Sequence, residues 1–411
     1  MSIALTAITA AEATDPPSSW PSVPVRDVVT RTETTDPSRS GRSSFLYIDV
    51  SAVSNDDLSI VTPQELATDK APSRARKRIA TNDVIFATVR PALRRIAQIP
   101  KMFDGAVAST AFCVLRPRPD LVDSAYLFHA VASPDFVSRV ASHEKGTSYP
   151  AVLDSDVLNE AIPLPPLAEQ RRIAGIISTI RRSRAAAETE IACIRAGKAA
   201  ALRALFVEAA PSDGPGAWRL TTIGDLCEGI YDGPHATPRK TSAGPWFLSI
   251  SSLNQGRLDL VRSAHLSEED WLTWSRRVVP RKDDVVFSYE TRLGEVALIP
   301  DGIRSCLGRR LALLRPNPKK VNPGFLVYSY LAPEFQATLK ERTVEGSTVH
   351  RLPLATFAEF PIRVPALDAQ RAIATVMRSF DRSLDASVGC LRDIDGVWNA
   401  AIRALVGVVQ P

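Results

Sequence analysis

The residues of this chain best suited to chemistry are clustered cations. Arg74, Arg76, Lys77 and Arg78 precede the apolar run Asp83-Val-Ile-Phe86, and Arg90, Arg94 and Arg95 follow it. A second run, Asp284-Val-Val-Phe287, has Arg276, Arg277, Arg281 and Lys282 before it and Tyr289 and Arg292 after it. Such clusters neutralise phosphates and hold a protein in register on a polyanion, while arginine can also read base edges. Charge runs are equally the ordinary solvated faces of soluble proteins, and both roles stay open at this level.

Polar turns add to these cations. Within Tyr231-Asp-Gly-Pro-His-Ala-Thr-Pro-Arg-Lys240, a Gly-Pro turn would present Tyr231, Asp232, His235, Thr237 and Lys240. Lys145, Ser148 and Tyr149 flank Gly146, and Ser347, Thr348, His350 and Arg351 flank Gly346. Glycine there allows close approach to a phosphate, or simply to a neighbouring strand.

Catalytic constellations are missing from the sequence. There is no GxxxxGK[ST] phosphate loop, no HExxH, no GxSxG and no Cys/His set with metal spacing. Neither Asn-Pro-Pro-aromatic nor Asp-Pro-Pro-Tyr occurs. The five histidines lie far apart, and Cys113, Cys193, Cys227, Cys306 and Cys390 include no close pair, so a reducing, cytoplasmic location is expected. These features predict a non-catalytic chain that binds no metal or cofactor itself. An excess of 50 basic over 45 acidic residues permits a polyanion partner without demonstrating one. No stretch is long and apolar enough for a membrane, and residues 1–17 read as a flexible tail.

The elements that must position the cations come in two copies. Pro163-Leu-Pro-Pro-Leu-Ala-Glu-Gln-Arg-Arg-Ile173 recurs as Arg363-Val-Pro-Ala-Leu-Asp-Ala-Gln-Arg-Ala-Ile373, 200 positions later. At nearly the same displacement Phe45-Leu46 answers Phe247-Leu248, Ile99-Pro100 answers Ile299-Pro300, and Leu115-Arg-Pro117 answers Leu314-Arg-Pro316. Ordered matches at one spacing mark an internal duplication. The expected fold is α/β of the α+β kind, with two similar halves related by an approximate twofold. β-rich domains are predicted over 18–162 and 218–362, long helices over 163–208 and 363–408, and a linker over 209–217. Strands are expected at 45–50, 83–89, 246–250 and 284–289, with one helical stretch per copy at 124–140 and 323–341.

Each long helix carries an apolar stripe at alternating four-three spacing. In the first it comprises Ile173, Ile177, Ile180, Ala187, Ile191, Ile194, Ala201 and Leu205, with Arg184 and Lys198 as exceptions. In the second it comprises Ile373, Met377, Phe380, Leu384, Leu391, Ile394, Trp398, Ala401 and Leu405, interrupted by Ser387. The stripes suit pairing with one another inside the chain. Residues 167–206 would span roughly 60 Å, about two turns of B-DNA.

The doubled Pro-Leu-Pro-Pro-Leu-Ala-Glu-Gln-Arg-Arg-Ile run, opening a long helix each time, resembles the hallmark of type I restriction-modification specificity subunits. Asp232-Gly-Pro-His-Ala-Thr-Pro238 and Arg292-Leu-Gly-Glu-Val-Ala-Leu-Ile-Pro300 resemble further parts of that family, and the likeness runs from about Trp20 to Leu405. The resemblance implies two target-recognition domains, each reading half of a split double-stranded DNA sequence. It implies that the helices pair as an antiparallel coiled coil. They would space the half-sites and dock two modification subunits around Leu167, Gln170, Arg171, Ile173, Ile177 and Ile180, and Leu367, Gln370, Arg371, Ile373, Met377 and Phe380. Adenine methylation with S-adenosylmethionine, and restriction with ATP and Mg, would belong to those partners and a restriction/translocase subunit. A specificity module of another two-component defence system, or a duplicated protein-binding scaffold, remain as alternatives. Copy one departs from the pattern by carrying 31–41 where copy two has its Asp-Gly-Pro-His turn.

Overall fold

Short apolar runs punctuated by turn residues become, in each half of the chain, two sheets of three or four strands with two-stranded pairs beside them, set against helices. The computed structural model describes residues 20–146, 150–208, 216–234, 238–344 and 350–405. Two units emerge, one from Met1–Ala187 with Cys390–Pro411 and the other from Glu188–Gly389.

In the first unit Val84–Ala87 lies between Phe112–Pro117 and Ile96–Gln98, antiparallel to both, with Val29–Thr30 beyond Phe112–Pro117. All four residues of Val84–Ala87 are buried, which is why the strand reads as an unbroken apolar run. A second sheet orders Gln64–Ala67, Ser44–Ile48, Val107–Ser109 and Ala75–Arg78, with Ser44–Ile48 and Val107–Ser109 parallel. The second unit repeats the plan. Val285–Ser288 lies between Leu311–Pro316 and Val296–Leu298, and Thr241–Leu248 runs parallel to Ser305–Leu307. The expected strands are thus present, with bounds moved by a few residues.

The expected single helical stretch is two helices in each copy. Ser124–Val131 gives way to Pro134–Ala141, and Pro323–Leu331 to Pro333–Glu341. Proline suits a first helical turn and not an interior, so Pro134 and Pro333 start new helices. Ser133 caps the first of these by accepting from the Phe136 amide at 3.3 Å.

One ion pair recurs at the entrance to both central strands. Asp83, 1% exposed, receives Arg116 Nε at 2.9 Å and Nη2 at 2.8 Å. Asp284 receives Arg315 in the same bidentate way at 3.0 and 2.8 Å. Each aspartate also caps its own turn, through the amides of Ala80 and Arg281.

The long helices are Leu167–Arg203, continued by a π-turn over Ala204–Glu208, and Leu367–Leu405. Each unit holds the opening of one and the end of the other. In the first unit Ile180, Ala187 and Ile394 are buried together with Leu391, Val397 and Trp398 around them, and Arg184 Nε meets Asp395 Oδ1 at 2.8 Å. In the second, Lys198 Nζ meets Asp381 Oδ1 at 2.6 Å. Within each unit the two helix segments therefore run antiparallel. Ile173 and Ile177 differ from a simple seam: they enter the core of the globular module beside Tyr126, Leu127 and Ile402. Among the described residues no helix is long and apolar enough to cross a membrane.

His129 sits in that module, 3% exposed, its ring tilted by 56° against Phe128 at 5.0 Å between centroids. Burial, helped by the Arg181 charge, pushes its imidazole down to about 3 from 6.5. An unfolded chain therefore binds a proton that the folded unit refuses between those values. Stability from this group is complete above pH 6.5 and declines as pH falls toward 3. From pH 7 to pH 5 the expected loss is about 2 kcal/mol. Urea unfolding of His129→Phe beside the parent at both pH values checks it: the variant should lose that part of the slope.

Candidate nucleic-acid interface

Strand direction sorts the cations into two groups. Val84–Ala87 and Val285–Ser288 are each about 13 Å long at 3.3 Å per residue, so their two ends serve different surfaces.

At the exit end of Val84–Ala87 a set of backbone bonds gathers three separate segments. The Thr88 amide donates to Ala111 O at 2.8 Å, Val152 to Thr88 O at 2.9 Å, and Arg90 to Pro150 O at 2.8 Å. Lys145 and Ala151 exchange bonds at 3.0 and 3.1 Å, and Thr110 donates to Arg74 O at 2.8 Å. Arg74, Arg90 and Lys145, far apart in sequence, thereby share one exposed rim. Arg90 holds φ +49°, the left-handed region that non-glycine residues rarely adopt. The corresponding residue of the other unit, Thr291, holds φ +69°. Equivalent strain in both copies is the kind that surrounding structure must over-determine, and it is common at functional sites.

The second unit builds the matching rim from different side chains. Leu352 donates to Tyr289 O at 2.8 Å and Gly233 to Leu311 O at 2.9 Å, while Val344 and Arg351 exchange bonds at 2.9 and 3.2 Å. Arg277 pairs with Asp232 at 2.6 Å, and Arg310 with Glu290 at 3.6 Å. Asp232, Arg277, Arg309, Arg310, His350 and Arg351 thus border one edge. The turn is tight: a Cβ on Gly233 would meet Gly308 O at 2.3 Å, so only glycine fits. Sequence reading missed Arg309 and Arg310. Their signal was position, immediately before the strand that pairs with Val285–Ser288; copy one has Thr110 and Ala111 there.

Other candidates do not join the rims. Arg76 pairs with Asp36 at 3.5 Å, Arg78 with Glu33 at 3.7 Å, and Lys77 with Asp154. Arg281 faces Glu228 at 3.3 Å and Lys282 faces Asp301 at 2.9 Å, at the entrance end of their strand. Arg95 donates to Val50 O and Val53 O at 3.0 and 2.7 Å, and half-buried Arg94 donates to Ala132 O at 2.9 Å. Those two arginines brace loops. Tyr289, expected at a reading surface, is 4% exposed and spends its hydroxyl on Arg309 O at 2.7 Å. Tyr231 is half-buried in its strand with the Arg315 guanidinium 5.4 Å from its ring. Lys240, Arg276 and Arg292 are exposed, the last beside Glu295. Ser148, Tyr149, His235, Thr237, Ser347 and Thr348 lie outside the described residues.

On the helices, Arg171 and Arg371 are exposed, Leu167, Leu367, Ile373 and Phe380 are half-buried, and Ile173, Ile177, Ile180 and Met377 are buried. Gln170 and Gln370, expected to meet partner subunits, are buried and serve their own units. The Gln170 carboxamide donates to Leu121 O and Pro165 O at 3.0 and 2.8 Å and accepts from the Asp123 amide at 2.8 Å. Gln370 repeats this with Pro365 O and the Asn322 amide at 2.9 and 2.8 Å. Arg181 is likewise occupied, donating to Asp57 O at 2.7 Å above the Phe128 ring.

Nucleophilic chemistry finds no support in the cysteines of these cores, since burial pushes the Cys113 and Cys306 thiols up to about 12. What the rims offer is positive charge and backbone turns in duplicate, which suits a long polyanion contacted at two places.

Comparison with known proteins gives a consistent result. The model of the type I restriction modification DNA specificity domain matches residues 45–194 and again 215–388. The chain is 24% identical over 176 residues to the putative type I restriction enzyme MjaX specificity subunit of Methanocaldococcus jannaschii, an overlap covering 41% of this chain and 40% of that protein. The chain thus spans about two fifths of that relative's length. A chain solved in work on the assembly and conformational transition of the type I R-M system is 28% identical, with TM-score 0.61 and coverage of 96% of this chain and 100% of that one. The HsdS subunit from Thermoanaerobacter tengcongensis is 29% identical, with TM-score 0.51 and coverage of 95% and 97%.

Proposed function

Because the chain belongs to the type I restriction modification DNA specificity family, we propose that it is the non-catalytic subunit that reads a bipartite double-stranded DNA target, one block with each unit. Two modification subunits carrying S-adenosylmethionine would methylate adenine N6 within that target. A restriction/translocase subunit would supply ATP- and Mg-dependent cleavage, all in the cytoplasm. The observation that carries this reading is the duplicated rim. Equivalent backbone bonds around Thr88 and Tyr289 frame the rims that carry Arg74, Arg90 and Lys145 in one unit and Arg309 and Arg351, with Arg277 held by Asp232, in the other. A shared frame with different side chains is what two unlike half-sites require, since phosphate contacts position and base contacts specify.

Co-expression with the methyltransferase encoded beside it, followed by mapping of N6-methyladenine across host DNA, tests the reading. A split motif with a fixed gap is expected, and an exchange of one unit should change one block only. Methylation at a single uninterrupted block, or none from a stable complex, would count against it. At residue level, Arg74→Ala and Arg309→Ala should each weaken binding on all sequences and lower the salt slope by about one. Arg90→Ala and Arg351→Ala should each cost about 1 to 3 kcal/mol of discrimination against the wrong base, each in its own block. Titration of labelled duplexes at several salt concentrations separates the two kinds of contact.

A further inference from the structure

The exceptions in the apolar stripes form a consistent pattern. Arg184 meets Asp395 in the first unit and Lys198 meets Asp381 in the second. From 184 to 198 is two heptads forward on one helix, and from 395 to 381 is two heptads back on the other, so both pairs keep one antiparallel register.

Both units also set a cation of the first long helix against an aromatic ring. In the first, the Arg181 guanidinium lies 5.3 Å from the Phe128 ring and donates to Asp57 O at 2.7 Å. In the second, the place of Phe128 is taken by Val327, and the ring is that of Tyr328, at the position equivalent to His129. The cation over it, at 5.6 Å, is Lys198, farther along the helix that carries Arg181, and it donates to Gln255 O at 3.4 Å. The position equivalent to Arg181 is Asp381, which is buried, holds Lys198, and accepts from the Tyr328 hydroxyl at 2.6 Å. The position equivalent to Lys198 is Trp398, packed on the core of the first unit. Each unit therefore places a cation of the first helix over an aromatic ring at neighbouring, not identical, repeat positions, one from that helix's opening and the other from its end.

We propose that these residues are a pairing code that makes the two long helices complementary to each other and repulsive to themselves. Self-pairing of the first helix in the equivalent register would set Lys198 against Arg181 and Arg184 against Arg195, two cations facing each other at each place. Self-pairing of the second would bury Asp381 against Trp398 with no cation. A buried charge stripped of its partner is strongly disfavoured. The preferred mate of either helix is thus the other helix, and symmetric dimers of two first halves or two second halves are excluded. Polar positions in helical seams are a well-attested means of fixing partner and register.

The test uses the full chain carrying a protease site within residues 211–215, folded intact and then cut. Isotopically labelled and unlabelled cut samples are mixed under conditions where hybrid complexes form, which shows that the halves exchange, and are read by native mass spectrometry. Complexes of one first half with one second half should exceed homodimers of either half by about 100-fold or more. Homodimers within about tenfold of them would overturn the proposal. In the variant Arg184→Asp with Lys198→Asp, the first helix becomes self-complementary through Arg181 and Arg195 and opposes Asp381 and Asp395. First-half homodimers should then dominate, and adding Asp381→Lys with Asp395→Arg should restore the mixed pair. A folded double variant that remains wholly mixed would also overturn the code. If that variant does not fold, the unaltered sequence alone decides.

Discussion

Replacing Arg116 by methionine is expected to destabilise the first unit by about 3 to 5 kcal/mol, because it leaves a buried carboxylate with no counter-charge. Asp83 would keep only the Ala80 amide, at 2.8 Å, after losing both guanidinium bonds. Methionine retains much of the arginine stem's bulk, so the loss reports the charge rather than a cavity. Arg315→Met should act in the same way on Asp284 in the second unit. In urea, with a slope of roughly 1 to 3 kcal/mol per molar, the transition of the affected unit should move down by more than about 1 M. Hydrogen exchange assigns the loss, with Val84–Ala87 deprotected by one variant and Val285–Ser288 by the other. Replacing Asp83 by leucine along with Arg116→Met should recover most of the stability, since a well-packed apolar pair is often neutral in place of a buried ion pair. A midpoint that does not move in Arg116→Met would show that the pair has no such role.

That pair was only half legible in the sequence. The runs Asp83-Val-Ile-Phe86 and Leu115-Arg-Pro117 were recognisable as landmarks of a duplication, because repetition at one displacement is visible without any structure. Their antiparallel pairing, which brings Arg116 to Asp83, depends on which strands neighbour which. The long helices were legible for a related reason: a four-three stripe sustained over some forty residues leaves few alternatives. The same stripe showed Arg184 and Lys198 as exceptions. It could not show Asp395 and Asp381, because a charge's partner in a seam is set by register between helices, and periodicity within one helix carries no information about register.

The rim was less legible still. Arg74, Arg90 and Lys145 meet only because Thr88, Thr110 and Ala151 are hydrogen-bonded across three segments. Proximity in sequence instead suggested grouping Arg74 with Arg76, Lys77 and Arg78. A strand of alternating faces disperses such a cluster, and the carboxylates of Asp36, Asp154 and Glu33 take up its later members. Tyr289 illustrates the converse error. An aromatic residue beside a basic cluster suggests a reading surface, yet its hydroxyl has a backbone carbonyl within the same unit to satisfy it.

Gln170 is where the repeated hinge run acquires a physical meaning, and Gln170→Leu should cost about 2 to 5 kcal/mol in the first unit. The residue is fully buried and its carboxamide joins three chain segments: the turn at Leu121, the cap at Asp123 and the hinge at Pro165. Leucine fills the volume but orphans one amide and two carbonyls. Gln370→Leu should cost less, since its third bond, to Lys320 O, is long at 3.4 Å. Gln170→Glu separates hydrogen bonding from packing. Its ionised carboxylate would still accept from Asp123 but would face Leu121 O and Pro165 O with no hydrogen to offer. Burial and those carbonyls favour the neutral acid, so its folded-state pKa rises above the usual carboxylate value. A raised pKa confers stability that is present below the unfolded-state value and is lost as pH rises through the folded one. Gln170→Glu should therefore be weakest near neutrality and recover toward acid relative to the parent, whereas the Gln170→Leu deficit should hardly change with pH. Urea midpoints across that range distinguish the two. Parallel pH dependence in both variants would mean that the carboxamide's hydrogens are not what tie the helix to its module.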